Sequence, residues 1–463
     1  MIDVMTFSSL AKALPGTLLG DDTGFTCLSI DSRTVNEGDV YLALKGERFD
    51  GHEFIVDALR KGCAGVIGEQ DLASVSQYIE DEGMTAKQIS YLQVNDTDKA
   101  LASIASLNRQ RFCGKLVGLT GSAGKTSTKN MLKAVLSEYG KTAATKGNFN
   151  NEVGVPLTLL DINAEHQFSV VEMGARAKGD IAYLSNMARP DVAMVLNAGS
   201  AHIEVFGDYE AIVEGKGEIY DSLSADGVGI INFDDPAYMT WLERLGGRQS
   251  LSFSQESENA DVFASDVECE AEGSCFTLNY HEESVRVGLP VPGLHQIQNA
   301  LAAATAAIAV GCDLEGVAKG LAKVESTEGR MNTAVINDIT LLDDSYNANP
   351  ASMKAALNIL SMQAGYRVAV LGEMAELGAH AHDAHIDVAT YALELGIEEF
   401  CLIGQYAKQM SESIGENALV FEDKALLAEH LVKDPHKNKI VMIKGSRSAA
   451  MDEVVNLIKR RVH

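Results

Sequence analysis

The stretch Leu116–Met131, LVGLTGSAGKTSTKNM, constrains the fold of this 463-residue chain more than any other. Apolar Leu116, Val117 and Leu119 read as the end of a buried strand. Met131, Leu132, Val135 and Leu136 read as one face of the helix that follows. Between the two, Gly121, Ser122, Ala123 and Gly124 form a tight loop. Such a loop aims successive backbone N–H groups inward at the positive end of the helix dipole, where phosphates sit without burying unpaired charge. Lys125 is placed to reach terminal phosphates and the Thr126 hydroxyl to ligate magnesium. The spacing is T-G-x-x-G-K-T, because Gly118 lies one residue too far upstream for G-x-x-x-x-G-K-[ST]. The plainer reading, glycines that merely turn a strand into a helix, is disfavoured by the strand–loop–helix setting.

Length predicts about three domains at about 150 residues each. The chain carries 38 Lys+Arg against 65 Asp+Glu, a net charge of −27. Such an acidic surface repels phosphate backbones and anionic lipid, so nucleic acid and membranes are excluded as expected partners. Any polyanionic substrate must then be held by a local basic group. Seven scattered cysteines without a CxxC argue against a disulfide framework or a zinc knuckle. The start, MIDVMTFSSLAKALPG, has no basic region followed by a long apolar core, so no signal peptide is expected. No run of 18 apolar residues occurs. A soluble, cytoplasmic protein is implied.

The chain reads as α/β throughout. Residues 1–95 hold short α/β elements, with Val40, Leu42 and Leu44 alternating as in a half-buried strand. Ser32, Arg33, Lys45, Arg48 and His52 bring hydroxyl and cationic donors to the ends of that strand. They suit a diphosphate, and equally a solvated loop with incidental charges. After Asn95-Asp-Thr-Asp98, a helix through Leu101, Ile104 and Leu107 leads into the phosphate loop. Residues 96–328 then alternate strands (116–120, 168–173, 191–197 and 228–233) with helices, which predicts a mostly parallel sheet with helices on both faces. Phe276-Thr-Leu and Val285-Arg-Val suggest antiparallel strands at one edge, and an alanine-rich helix over 299–310 closes the region. From 329 to 463, apolar strands at 340–343, 367–372, 400–404 and 440–445 predict a smaller, Rossmann-like doubly wound domain. Its last helix carries Met451, Val454, Val455 and Ile458 on one face.

Three further polar residues carry candidate chemistry. Glu172, in Val170-Val-Glu-Met-Gly174, offers the oxygen ligand that a phosphate-bound magnesium needs, or simply caps a strand. His202, in Asn197-Ala-Gly-Ser-Ala-His202, is a possible metal or phosphate contact, or an ordinary loop residue. Lys216, near the end of a helical stretch, reads on its own as a solvated lysine.

Taken together, TGSAGKTST, GNFNNEVGVPLT (147–158), VVEMGA (170–175), NAGSAHIEVFG (197–207) and GKGEIY (215–220) resemble the ATPase domain of the Mur ligases. HQIQNALAA (295–303), GRM (329–331), DDSYNANPASM (343–353), GEMAELG (372–378) and KGSRSAAMDEVV (444–455) continue the resemblance. So do DSR and ALKGERFDGHEF at the front, so it spans essentially the whole chain in order. The family's diaminopimelate-adding branch carries a DNPR acceptor motif, which does not occur here. The resemblance therefore implies the branch that adds D-alanyl-D-alanine to UDP-N-acetylmuramoyl-tripeptide through an acyl phosphate, using ATP, in peptidoglycan precursor synthesis.

By the same resemblance, the phosphate loop (Gly121, Ser122, Ala123, Gly124, Lys125, Thr126 and Ser127) holds ATP. Thr126, Glu172, His202 and Lys216 are implied to hold two Mg2+ ions, Lys216 as a carbamylated lysine. Asn299 is the implied adenine contact, Arg330 the arginine that reaches the γ-phosphate, and Asp344 the ribose contact, with Asn347 and Asn349 beside it. Lys125, Lys216, His202 and Arg330 form the implied catalytic set. The UDP-sugar peptide is assigned to Ser32, Arg33, Lys45, Gly46, Arg48, Phe49, Asp50 and His52, with Asn148, Asn150 and Asn151. Gln296 replaces the first asparagine of the family's HNxxN pattern. Three domains suit three ligands, in residues 1–95 for the UDP end, 96–328 for ATP and 329–463 for the dipeptide, within a monomer. The rivals are a diaminopimelate- or lysine-adding ligase and a folylpolyglutamate synthetase, which leaves the first 95 residues unexplained. From another class comes a nucleotide-binding regulator that ligates nothing.

Overall fold

The computed structural model describes every residue except 47, 48, 82, 84–88, 200–202, 326, 327 and 463. Three larger sheets follow one another along the chain, each with its own helices, and a two-stranded antiparallel ribbon pairs Met5–Thr6 with Gly24–Phe25 near the start. The first consists of β1 (Gly16–Leu19), β2 (Leu28–Ser29), β3 (Val40–Leu42), β4 (Gly65–Gly68) and β5 (Ser90–Val94), in the order β1-β5-β4-β3-β2. Strands β2 to β5 are parallel, and β1 pairs antiparallel with β5. Val40, Tyr41 and Leu42 are all buried, so β3 is covered on both faces rather than half-buried. A parallel sheet between helices requires this, and Tyr41 satisfies its hydroxyl by donating to the Gly51 carbonyl at 2.8 Å.

The second sheet has nine strands: β6 (Lys115–Thr120), β7 (Thr142–Ala144), β8 (Phe168–Glu172), β9 (Val192–Val195), β10 (Val228–Asn232), β11 (Gln249–Ser254), β12 (Val262–Cys269), β13 (Ser274–Tyr280) and β14 (Glu283–Leu289). Their order is β14-β13-β12-β11-β10-β9-β6-β8-β7. Strands β7 to β12 and β6 run parallel, and the antiparallel edge expected from sequence begins with β13. Strand β6 lies between β8 and β9, so the loops leaving all three open at one carboxyl edge. That edge, where the chain changes winding direction, is where open α/β sheets receive ligands.

Helix α1 (Thr97–Gln110) precedes β6, and α2 (Lys125–Leu136) follows the phosphate loop. Helix α3 (Leu294–Ala309) starts five residues earlier than the alanine run suggests, and Ala300 to Ala304 are buried all round. A helix that is apolar on every side belongs in the interior, and its small side chains let it lie close against α2.

The third sheet contains β15 (Asn332–Ile336), β16 (Ile339–Asp344), β17 (Tyr366–Leu371), β18 (Glu399–Ile403), β19 (Ala418–Phe421) and β20 (Lys439–Lys444), ordered β15-β16-β20-β17-β18-β19. All are parallel except β15, which pairs antiparallel with β16. Met451, Val454, Val455 and Ile458 are buried in its core. Among the described residues, no helix is long and apolar enough to cross a membrane.

Core residues run continuously from Met5, Phe7 and Leu10 through Leu101 and Ile104 of α1 to Leu159 and Ile181. Asn108 pins this seam. Its fully buried amide donates to the carbonyls of Leu159 (2.8 Å) and Ile162 (3.0 Å) and accepts from the Ile2 amide at 2.9 Å. Replacing it with Ala removes a partner from the Ile2 amide and the Ile162 carbonyl, at about 1–3 kcal/mol for each group left buried and unpaired, while the Leu159 carbonyl keeps the Ile162 amide at 3.3 Å. Asn108→Ala is therefore expected to lower stability by roughly 2 kcal/mol or more in urea denaturation, and a change within error would show that water satisfies those groups.

Candidate active site

Strand β6 delivers the chain to Gly121, and the loop closes at Gly124, whose φ of +81° lies in the left-handed region. A Cβ at Gly124 would also sit 2.2 Å from Asn299 Oδ1, so glycine is required there twice over. Asn197, after β9, braces the loop by accepting from the amides of Ser122 (3.1 Å) and Ala123 (2.9 Å). The first-turn amides of α2 have no intrahelical acceptor and face the cleft, as an anion site needs. Lys125 Nζ curls back to donate to the Gly121 carbonyl at 2.6 Å, and Ser127 is half-buried on the same first turn.

Register places Glu172, the last residue of β8, opposite Leu119 of β6. Its carboxylate is buried. Oε2 accepts from the Thr126 hydroxyl at 3.1 Å and Oε1 from Asn150 Nδ2 at 2.8 Å. Lys129, one helical turn beyond Lys125, brings Nζ to 3.9 Å from Oε2 and donates to the Gly147 carbonyl at 2.9 Å. From the junction with the third sheet, Arg330 Nη2 donates to Thr126 Oγ1 at 3.3 Å. The Arg330 guanidinium lies 4.4 Å over the Tyr346 ring.

Lys216 is 1% exposed and makes no hydrogen bond or ion pair among the described residues, its ammonium lying 5.8 Å over the Phe206 ring. Burial, reinforced by the charge of Lys125, pushes its amine down to about 7. Burial also lowers Lys125 and Lys129, each opposed by Glu172 and reinforced by Arg330. The pocket thus gathers Lys125, Lys129 and Arg330 about Glu172, with Glu376 also acting on Lys125 and Lys125 acting on Lys216, in a chain whose net charge is strongly negative. Thr126 and Glu172 present two adjacent oxygens, the donor type a hard divalent cation takes.

Asn299, on α3, accepts from the Thr128 hydroxyl (3.3 Å) and donates to Gln296 Oε1 (3.2 Å), so the substituted Gln296 fixes its orientation. Asp344 ends β16, where Lys444 Nζ reaches Oδ2 at 2.6 Å and the Met331 amide reaches Oδ1 at 3.2 Å. Burial holds neighbouring His295 down near 4, with Asp344 opposing and Lys444 reinforcing, so the imidazole is neutral. Asn347 accepts from the amides of Ala348 and Arg447 at 2.9 and 3.2 Å. Asn349 caps the helix Pro350–Ser361 by accepting from Ser352 N at 2.8 Å.

Sequence models of one family match the chain in consecutive pieces: a Mur ligase catalytic domain at 24–109, a Mur ligase middle domain at 119–307 and a Mur ligase glutamate ligase domain at 329–447. A UDP-N-acetylmuramoyl-tripeptide–D-alanyl-D-alanine ligase of Escherichia coli K12 is 38% identical over 99% of both chains. The chain belongs to the Mur ligase family. Two solved members are close in fold. MurF from Acinetobacter baumannii superimposes with a TM-score of 0.90 at 34% identity, covering 99% of each chain. MurF from Thermotoga maritima, solved with ADP, does so with a TM-score of 0.81 at 30% identity, covering 94% of this chain and 97% of that one.

Against this Mur ligase frame, the residues assigned to the UDP-sugar peptide divide. Arg33 is exposed and forms a two-pronged pair with Asp31 (2.7 and 2.9 Å), whose carboxyl its hydrogen bonds hold down at about 2. Ser32 is buried, and its carbonyl accepts from Lys61 at 2.9 Å. Lys45 bridges to Asp50 through the backbone, Gly46 donates to the Phe49 carbonyl at 2.8 Å, and exposed Phe49 stacks on Phe54 with ring centroids 5.2 Å apart. His52 is fully engaged: Nδ1 lies 2.6 Å from Asp50 Oδ1, and Nε2 accepts from the Glu69 amide at 2.8 Å. Asn148 is exposed, Asn150 orients Glu172, and Asn151 accepts from the Gly154 amide at 2.9 Å to start the next helix. Arg48 and His202 lie outside the described residues.

Sequence reasoning gave no role to Lys129, Asn197, Tyr346 or Lys444. The four-residue interval from Lys125 to Lys129 is the signal that was there to read, since it puts both on one helix face. A methyl group at Gly124 must displace Asn299 and strain a left-handed backbone, which costs on the order of 1–3 kcal/mol. Gly124→Ala is expected to weaken nucleotide binding at least about tenfold in calorimetric titration, with the circular dichroism spectrum unchanged.

Proposed function

We propose that the chain is an ATP-dependent amide ligase of the cytoplasm, a monomer that joins D-alanyl-D-alanine to UDP-N-acetylmuramoyl-tripeptide in peptidoglycan precursor synthesis. The observation that carries this reading is the hydrogen bond from Arg330 to Thr126. It brings a cation from the third unit onto the phosphate loop of the second, where a transferring γ-phosphoryl group needs charge from both sides.

The tripeptide carboxylate is a poor electrophile, because its negative charge repels a nucleophile. Phosphorylation by ATP turns it into an acyl phosphate with a good leaving group. Lys125 leaves the Gly121 carbonyl for the β- and γ-phosphates, and Arg330 approaches the γ-phosphate from the opposite side. Asn299 and Asp344 flank the adenosine, as adenine and ribose contacts. Thr126 and Glu172, whose oxygens are 3.1 Å apart, fit a magnesium ion, and Asn150 keeps the carboxylate aimed. Bound Mg2+ would supply charge neutralisation at the phosphoryl oxygens. The dipeptide amine then attacks the acyl carbon and expels phosphate, while the closed third unit keeps out the water that would hydrolyse the intermediate.

For the three ligands we assign residues 1–95 to the UDP end, 96–328 to ATP and 329–463 to the dipeptide. Phe49 and the Arg33 guanidinium, both exposed although stacked on Phe54 and paired with Asp31, are the groups we assign to the UDP end. A cleft of about 800 Å³ at the carboxyl ends of β17, β18 and β19, lined by Glu373, Gln405, Lys408 and Lys424 among others, carries both charges that a zwitterionic dipeptide requires.

Lys216 is proposed to carry a carbamate. Only a neutral amine adds CO2, forming an N–C bond and releasing a proton, and an amine titrating at about 7 is neutral in useful proportion at physiological pH. The product exchanges an unpaired buried cation for an anion with oxygen donors, suited to a second Mg2+.

A coupled assay supplies the direct test. Phosphate release is expected only when ATP, UDP-N-acetylmuramoyl-tripeptide and D-Ala-D-Ala are all present, and Lys125→Ala is expected to abolish it. Release triggered by diaminopimelate, lysine or a folate would overturn the substrate assignment. For Lys216, activity in CO2-depleted buffer is expected to fall and to return on adding bicarbonate. The recovery should grow as pH rises through about 7, because the amine loses its proton in that direction. A recovery that is insensitive to bicarbonate, or that grows on acidification, would exclude the carbamate.

A further inference from the structure

The amino-terminal end of the third sheet holds a polar group that the ligase chemistry leaves unused. Glu399 and Cys401 are two residues apart on β18, so their side chains share one face, the face covered by helix α4 (Lys424–Lys433). His430, in the last turn of α4, meets them there. Its Nε2 lies 2.7 Å from Glu399 Oε1, and Cys401 Sγ lies 3.5 Å from the same oxygen. The three ligand atoms all fall within 4.8 Å of one another. Tyr366 donates to the other carboxylate oxygen at 3.1 Å, which leaves Oε1 directed at the thiol and the imidazole. Cys401 is fully buried, whereas a third of the His430 side chain reaches solvent (33%).

A second polar group adjoins the first through Glu399. Asp434, with its side chain 6% exposed, has a buried Oδ2 without a hydrogen-bond partner. Its carboxylate belongs with Glu399 and His436 to an overlapping group of the same dimensions. Lys439 Nζ forms an ion pair with Oδ2 at 3.2 Å and also donates to the carbonyls of Leu431 (2.5 Å) and Asp434 (2.9 Å). His436 pairs with Oδ1 at 2.6 Å and stacks on Tyr366. Asp434 is thus held by Lys439 and His436, whereas Glu399 meets Tyr366, His430 and Cys401 and no ammonium among the described residues.

We propose that Glu399, Cys401 and His430 form a binding site for a zinc-type divalent transition-metal ion that clamps β18 to α4. One sulfur, one imidazole nitrogen and one carboxylate oxygen make a donor set that favours zinc over magnesium or calcium, and three protein ligands leave a fourth position for water. That position opens on the solvent side of His430. The thiolate and carboxylate neutralise the ion, while Lys439 continues to balance Asp434. Binding displaces the thiol proton to solvent, so uptake strengthens with pH. Tetrahedral donors stand somewhat further apart than the present 2.7 Å between His430 and Glu399, and an exposed ring at a helix end can shift by that much. The site lies at the opposite end of β18 from the carboxyl edge of the sheet, so it acts on stability rather than on phosphoryl transfer.

Cobalt(II) is the probe, because a thiolate–cobalt pair absorbs in the near ultraviolet and oxygen-ligated cobalt at a magnesium position does not. Full-length protein freed of metal with EDTA is expected to develop this band with one equivalent of Co2+ and to lose it when Zn2+ is added. Cys401→Ser and His430→Gln should both abolish the band, and Zn2+ should raise the melting temperature of the wild type but of neither variant. His430 is partly exposed, so its variant should fold with an unchanged metal-free melting temperature. No sulfur band in the wild type would overturn the proposal. So would a band that survives either substitution, since exposed Cys27 or Cys113 would then be the ligand.

Discussion

Lys125, Lys129 and Arg330 gather about the buried Glu172, Glu376 adds a second carboxylate that acts on Lys125, and Lys216 lies near enough to Lys125 to feel its charge. Lys125, Lys129 and Lys216 are all depressed by burial, and each feels another cation nearby. Burying like charges together is costly unless a counter-charge arrives. The pocket is therefore completed by a polyanion, and a triphosphate supplies negative charge at the mouth of α2. The surrounding acidity, −27 over the chain, makes the basin selective. Long nucleic acids are repelled by the surface, while a compact nucleotide with its own magnesium fits the cleft.

The two larger sheets present their carboxyl edges to each other. Thr120, Glu172 and Val195 end adjacent parallel strands of the second sheet, and Asp344, Leu371 and Lys444 end adjacent strands of the third. Contacts cross between them at Arg330–Thr126 and where Gly378 approaches Glu204. Each edge alone is an open crevice. Facing one another, they set Arg330 of the third unit beside the phosphate loop of the second.

The phosphate loop, Glu172 and the mostly parallel central sheet were legible because each rests on local pattern: a glycine-bounded loop, an apolar run, a polar residue at its end. The short strand β7 and the edge strands β15 and β19 were not. Val335, Leu419 and Val420 are largely exposed, so hydrophobic pattern does not mark them, and pairing with a neighbour is what makes them strands. Side-chain roles were less legible than positions. His52 looks like a diphosphate ligand, yet Asp50 and Glu69 occupy both its ring nitrogens. Asn349 looks like a nucleotide contact, yet its oxygen caps a helix. Such competition between partners is decided by tertiary neighbours that no local window contains.

Arg330 shows how the backbone holds the decisive contact. Both its neighbours adopt left-handed conformations, Gly329 at φ +67° and Met331 at φ +56°. Glycine accepts this freely, but Met331 stores strain on the order of 1 kcal/mol or more. Burial of the Met331 side chain and the bond from its amide to Asp344 offset that strain. The bond from Tyr346 N to the Gly329 carbonyl, at 3.0 Å, fixes the other flank and sets the Tyr346 ring beneath the guanidinium. Arg330 is thus aimed by the same short segment that begins the third sheet, and any movement of that sheet moves its charge relative to Thr126. The position of the third unit and the electrostatics of the phosphate loop are therefore one variable, set by the Arg330–Thr126 contact.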